Sequence, residues 1–143
     1  MGVVSPRVRL EAAKQIFHTL HAAIAQRLVR ACHDLSEGGL ATALAEMSFA
    51  GELGLIVDLE AAASRDNLTA TELLFTESNS RFVIEVEPAF QAVVEKLFGG
   101  LPLVQLGRVS LAPDVQISRG TAKIIDKHWS ELFQAWHSPL DWA

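Results

Sequence analysis

The chain has 143 residues, 50% of them hydrophobic and 20% charged, which suits one soluble globular domain (residues 1–143) that buries its core without staples. A formal charge of −5 with no Lys/Arg cluster argues against nucleic acid as a partner. No apolar run is long enough to cross a bilayer or to act as a secretory signal, so no membrane association is expected either. Cys32 is the only cysteine, which excludes an intrachain disulfide and points to a reducing, cytoplasmic setting with a buried, inert thiol.

Leu10, Ala13, Phe17, Leu20, Ile24 and Leu28 recur at three- and four-residue spacing, predicting one amphipathic helix over about residues 7–29 with Ser5-Pro6 at its start. The apolar run 28–32 predicts a strand ending near Asp34. It leads into His33-Asp34-Leu35-Ser36-Glu37-Gly38-Gly39-Leu40 and then a helix from Gly39 to about Ala50, stopped by Gly51. A glycine-bearing turn between strand and helix aims free N–H groups at an anion. Paired glycines allow close approach to the backbone, and Ser36 can cap the helix or give its hydroxyl to a phosphate. A carboxylate at Asp34 would repel such a phosphate by ~4 kcal/mol at about 4 Å and a surface-like dielectric, a conflict that a bridging Mg²⁺ removes. The competing reading is ordinary turn and cap chemistry, with Asp34 satisfying nearby backbone donors.

Leu53, Leu55, Val57 and Leu59 alternate with Gly54, Ile56 and Asp58, predicting a second strand with one strongly apolar face. A helical turn at 60–63 gives way to a loop over 64–67, and the signal stays weak as far as Thr76. Phe82, Ile84 and Val86 mark a third strand. Pro88 opens a helix bearing Phe90, Val93, Val94 and Leu97, closed by Gly99-Gly100. Residues 104–109 read as a fourth strand, and 115–117 with 122–124 as a hairpin around Arg119-Gly120. Asp126 is expected to cap a last helix carrying Trp129, Leu132, Phe133 and Trp136, which Pro139 keeps from extending. With no repeat or linker, the pattern predicts an α+β layered domain with a mixed sheet.

Phe75-Thr76-Glu77-Ser78-Asn79-Ser80-Arg81 is a second polar concentration, ahead of the third strand. Its side chains either face a ligand there or form a solvated loop in which Glu77 pairs with Arg81, and the residues alone favour the loop. His18 and His21 lie three apart but have no third ligand nearby, so packing is the better reading. His33 could orient the turn that follows it. His128 and His137 flank the last helix in cap or surface roles, and Trp129, Trp136 and Trp142 read as packing anchors. Nothing resembles a Ser/His/Asp set or a carboxylate pair placed for acid–base chemistry.

His33-Asp34-Leu35-Ser36-Glu37-Gly38-Gly39-Leu40-Ala41-Thr42-Ala43-Leu44-Ala45-Glu46-Met47 resembles the signature of the C-terminal domain of the phosphoribosylformylglycinamidine synthase family, in the aminoimidazole ribonucleotide synthetase superfamily. Leu74-Phe75-Thr76-Glu77-Ser78-Asn79-Ser80-Arg81-Phe82, Leu106-Gly107-Arg108-Val109 and Trp136-His137-Ser138-Pro139-Leu140-Asp141-Trp142 resemble its loop-and-strand element, following strand and tail, in order. The resemblance covers nearly the whole chain and favours the ligand-binding reading of the turn. It implies a layered α/β/α domain with a partly ferredoxin-like sheet. It also implies a part in an ATP-dependent C–N ligase that converts formylglycinamide ribonucleotide to its amidine, with glutamine-derived ammonia, in purine biosynthesis. ATP or ADP with Mg²⁺ are the implied cofactors. The implied partners are the N-terminal domains of the same synthetase subunit, a glutaminase subunit and a small bridging subunit.

By that resemblance Asp34 matches a metal ligand, and Ser36, Gly38 and Gly39 the nucleotide and phosphate contacts. His33, Glu77, Ser78 and Arg81 are substrate-side or structural positions, and Asn79 departs from the glutamine common in the other half of such enzymes. The catalytic histidine and main ATP-contacting strands belong to other regions, so no catalytic residue is expected here and the isolated domain is expected to be inactive. The alternatives are a non-catalytic assembly or nucleotide-binding module, or another superfamily member such as selenophosphate synthetase, thiamin-phosphate kinase or the hydrogenase maturation factor. Those members vary the turn toward Asp-x-Thr forms, which His33-Asp34 with Ser36 does not match.

Overall fold

Strands and helices alternate along residues 8–138, the part that the computed structural model describes. Helix α1 (Leu10–Ala25) buries Ala13, Leu20 and Ala23. Leu10, Phe17 and Ile24 were expected on the same buried face, yet they are 75%, 50% and 47% exposed; of the three, Phe17 packs edge-on against Phe82 at 5.7 Å between ring centroids. The helix ends short of residue 29. Arg27 takes a left-handed φ of 58° and the Leu28 N–H returns to the Ala23 carbonyl (3.0 Å).

Strand β1 (Ala31–Asp34) and helix α2 (Gly39–Gly51) follow, and α2 is stopped by Glu52 in the left-handed region, not by Gly51. Strand β2 (Gly54–Asp58) buries Leu55 and Val57, as its alternation demands. The weak stretch after it is two short helices, α3 (Glu60–Asp66) and α4 (Ala70–Phe75). A reciprocal cap opens α4: the Glu72 N–H donates to Thr69 Oγ1 (3.2 Å), and the Thr69 N–H donates to the Glu72 carboxylate (2.8 Å).

Strand β3 (Phe82–Glu85) leads through a 3-10 turn at Pro88–Phe90 into α5 (Gln91–Leu97). Strands β4 (Gly107–Ser110), β5 (Asp114–Arg119) and β6 (Ala122–His128) precede α6 (Trp129–His137). Asp126 does not cap α6; it lies inside β6, bonded to Lys123. The cap is His128, whose Nδ1 accepts the Ser130 N–H (3.1 Å). Ser5-Pro6, Pro139 and Trp142 lie outside the described residues.

The α+β class and the mixed pairing stand as expected, with the strands distributed over two sheets. β1 and β3 form an antiparallel pair, and the larger sheet runs β4-β2-β5-β6, with β2 parallel to β5 and antiparallel to β4. Helices α2, α3 and α4 contribute Leu40, Leu44, Ala63 and Leu74 to the main core over Leu55, Val57, Val115 and Ile117. A second cluster, Leu20, Ala23, Leu28, Val94 and Phe98, joins α1 and α5 to Phe82 and Ile84 of β3. No helix among the described residues is long and apolar enough to cross a membrane.

Candidate functional site

The two polar stretches meet at one end of the β1/β3 ladder. Asp34 stands opposite Phe82, and the Leu35 N–H extends the pairing onto the Arg81 carbonyl (3.0 Å). Side chains alternate along a strand, so Cys32 and Asp34 share the face of Ile84 and Phe82 while His33 turns to the other side, toward α2. The Asp34 side opens into a groove of about 540 Å³, lined by Phe17 of α1, by Asp34 and Ser36, and by the loop 77–81. Cys32 also lines this groove and is exposed, contrary to the buried thiol expected, because its face of the two-stranded pair opens to the groove. Partial burial, with the Asp34 carboxylate second, pushes its thiol above the ordinary range and so keeps the nucleophilic thiolate scarce.

Both turn glycines are required by backbone geometry. Gly38 (φ 74°) occupies the N-cap of α2 and Gly39 (φ 64°) its first position. A Cβ on Gly39 would lie 2.7 Å from the Leu74 carbonyl oxygen, so the close approach it permits is to the end of α4. The Gly39 N–H closes the turn on the Ser36 carbonyl (3.2 Å). Ser36 is exposed and makes no cap bond, which removes the capping half of its expected role. The Gly38 N–H instead donates to Glu77 Oε1 (2.9 Å), so the chain itself supplies an oxyanion at the start of α2.

Glu77 therefore does not pair with Arg81. The Arg81 guanidinium turns inward and donates to the carbonyls of Thr76 (3.0 Å) and Leu73 (3.5 Å), at the negative end of α4. Burial pushes its pKa down, an effect that Asp66 partly offsets. Ser78 is half-buried on the groove wall. His33 lies with Nδ1 2.6 Å from its neighbour Asp34's carbonyl oxygen and Nε2 2.8 Å from Glu46 of α2. The sequence reading missed Glu46, although it is the lone charge in the otherwise uncharged helix α2.

No group of three or more His, Cys, Asp and Glu side chains converges among the described residues, so no all-protein cation cage is built there. Mg²⁺ that arrives on phosphates needs only one or two carboxylates. Asp34, 62% exposed at its side chain and flanked in the groove by Ser36, Ser78 and Ser80, fits that mode.

Residues 4–118 match the family described as AIR synthase related protein, C-terminal domain. Phosphoribosylformylglycinamidine synthase subunit PurL of Deinococcus radiodurans is 40% identical over 136 residues, 94% of this chain and 18% of that protein. The same subunit of Thermococcus sibiricus is 39% identical over 107 residues, 75% of this chain and 15% of that protein. The chain thus spans less than a fifth of the length of these curated relatives. The solved structure of T. maritima PurL complexed with FGAR superposes with a TM-score of 0.73, covering 84% of this chain and 20% of that one at 20% identity. The structure of PurLQS from Thermotoga maritima gives 0.74, with 84% and 21% covered at the same identity. At that identity the likeness is one of fold.

Proposed function

The chain belongs to the AIR synthase related protein C-terminal-domain family, and on that footing we propose that it works as a C-terminal domain of a cytoplasmic phosphoribosylformylglycinamidine synthase, in the ATP-dependent amidation of formylglycinamide ribonucleotide with glutamine-derived ammonia. The observation that carries the site is the Gly38 N–H already holding a carboxylate, beside the exposed Asp34 and Ser36. The Gly38 N–H, released by Glu77, and the Ser36 hydroxyl would donate to a nucleotide phosphate. Asp34 would hold Mg²⁺, whose charge would offset the repulsion between carboxylate and phosphate. Gly39 shapes the turn, Arg81 ties the 77–81 loop to α4, and Glu77 and Ser78 face the substrate side.

These residues supply no nucleophile with its base, so turnover belongs to the whole synthetase subunit with its glutaminase and bridging partners. The exposed Leu10 and Ile24 of α1 support a second reading, in which the domain acts mainly in assembly and packs against the subunit's N-terminal domains. Calorimetric titration of ADP with Mg²⁺ into the chain separates the two. Binding that Asp34→Ala or EDTA abolishes supports the nucleotide site, whereas no binding by either protein leaves assembly as the role. The chain with ATP, formylglycinamide ribonucleotide and ammonia is expected to give no turnover, and clear turnover would overturn the division of labour.

A further inference from the structure

On the face of β1 opposite the groove, three side chains from three elements form a continuous relay. Trp136 of α6 donates its indole N–H to Glu46 Oε1 of α2 (3.0 Å), and the other carboxylate oxygen, Oε2, lies 2.8 Å from His33 Nε2. Nδ1 of the same imidazole lies 2.6 Å from the carbonyl oxygen of Asp34, with the Asp34 carboxylate a further 3.7 Å contact. Both ring nitrogens thus lie against oxygen atoms, one on α2 and one on the strand's own backbone. From the indole to the groove the order is Trp136, Glu46, His33, Asp34.

We infer that Glu46 is a positioning residue for the nucleotide site, gripping His33 so that Asp34 is fixed toward the groove, with Trp136 of α6 as its outer anchor. The inference rests on the reading of Asp34 as the metal-bearing carboxylate. The geometry favours positioning over general stabilisation for two reasons. Glu46 is the one charged group of an otherwise uncharged helix, at 27% side-chain exposure, and both of its oxygens are engaged by groups on other elements. Trp136 keeps a separate packing role, with its ring 5.5 Å from Phe49 and 6.3 Å from Phe133, so its N–H can be removed while the stack remains. An orienter behind a ligating group is the arrangement by which outer-shell hydrogen bonds set a site's affinity.

The test compares the full chain with Trp136→Phe and Glu46→Gln, titrating ADP with Mg²⁺ by calorimetry and measuring each urea midpoint alongside. Trp136→Phe keeps an aromatic ring in the stack and loses one hydrogen bond, so its affinity is expected to fall roughly fivefold while the urea midpoint falls by no more than about 0.7 M. Glu46→Gln replaces one of the two oxygens with an NH2 group, so the indole and the imidazole no longer both meet a carboxylate oxygen, and it is expected to cost about tenfold or more. In proton–nitrogen spectra the Trp136 indole N–H, assigned by its loss in Trp136→Phe, should shift when ADP and Mg²⁺ are added, although the indole lies across the strand from the groove. That response should disappear in Glu46→Gln, which a purely structural contact would not produce. Unchanged affinity in both folded variants, or an indole resonance blind to ligand, overturns the positioning role while leaving the nucleotide site intact. Failure of the unchanged chain to bind overturns the site and the positioning role together.

Discussion

Replacing Gly39 with valine tests the account of the turn most directly. At φ 64° any L side chain costs ~1–2 kcal/mol. The new Cβ would also lie 2.7 Å from the Leu74 carbonyl oxygen and 3.1 Å from Phe75 C and Thr76 O, all backbone atoms that cannot swing aside. Overpacking of that kind costs about 1–3 kcal/mol. The stiffer unfolded chain offsets roughly 0.4–1 kcal/mol, leaving about 1–5 kcal/mol of net destabilisation. Ser36→Ala removes an exposed hydroxyl that makes no cap bond, so it should stay within about 0.5 kcal/mol of the parent. With a urea slope of roughly 2 kcal/mol per molar, Gly39→Val should lower the midpoint by about 0.5–2.5 M while Ser36→Ala barely moves it. Equal midpoints, or the opposite ranking, would refute the packing of the turn against α4.

Thr69→Ala breaks the reciprocal cap of α4 and should cost about 1 kcal/mol in the same denaturation assay; no loss would mean that α4 is held by Leu73 and Leu74 alone. The Asp58 carboxylate accepts N–H groups from Glu60 and Gly120, which hold it below the usual carboxylate range. Its folded pKa is depressed, so its contribution is full above the unfolded value near about 4 and is lost as the pH falls through the folded value. Asp58→Asn should therefore flatten the acid limb of the midpoint-against-pH curve, and an unaltered limb would count against these bonds. Cys32 should react with iodoacetamide at pH 7 more slowly than an unperturbed thiol despite its exposure, and Asp34→Asn should speed it. A rate indifferent to that substitution would separate the two side chains.

The period of a sequence reports an element but not what covers it. Strand β2 was readable because Leu55 and Val57 alternate with lesser positions and the buried face follows from alternation alone. In α1 the same kind of spacing was right about the helix and about Ala13, Leu20 and Leu28, but not about Leu10, Phe17 and Ile24, since which positions are covered is decided by where α5 lies. Helices α3 and α4 are too short to display a period, yet Thr69-Ala70-Thr71-Glu72 carried a start signal that goes with the cap observed. Asp126 looked like a cap because its residue type suits one; two more residues of β6 moved that duty to His128. At the groove, the positive-φ glycines and the place of Asp34 at the strand end were legible from local chemistry, whereas the choice of a ligand role for Asp34 came only from the family resemblance. The partners of Glu77, Arg81 and Glu46 were not, because each depends on a segment distant in the chain.

The parallel pairing of β2 with β5 carries a consequence for biogenesis. Leu55 and Val57 meet Val115 and Ile117 only after α3, α4, β3, α5 and β4 have been made. During translation, the middle ribbon of the larger sheet therefore waits with one flank bare until Ile117 clears the ribosome exit tunnel. A nascent chain stalled before that point presents an apolar edge for chaperones to shield or for other chains to capture, and its core closes late.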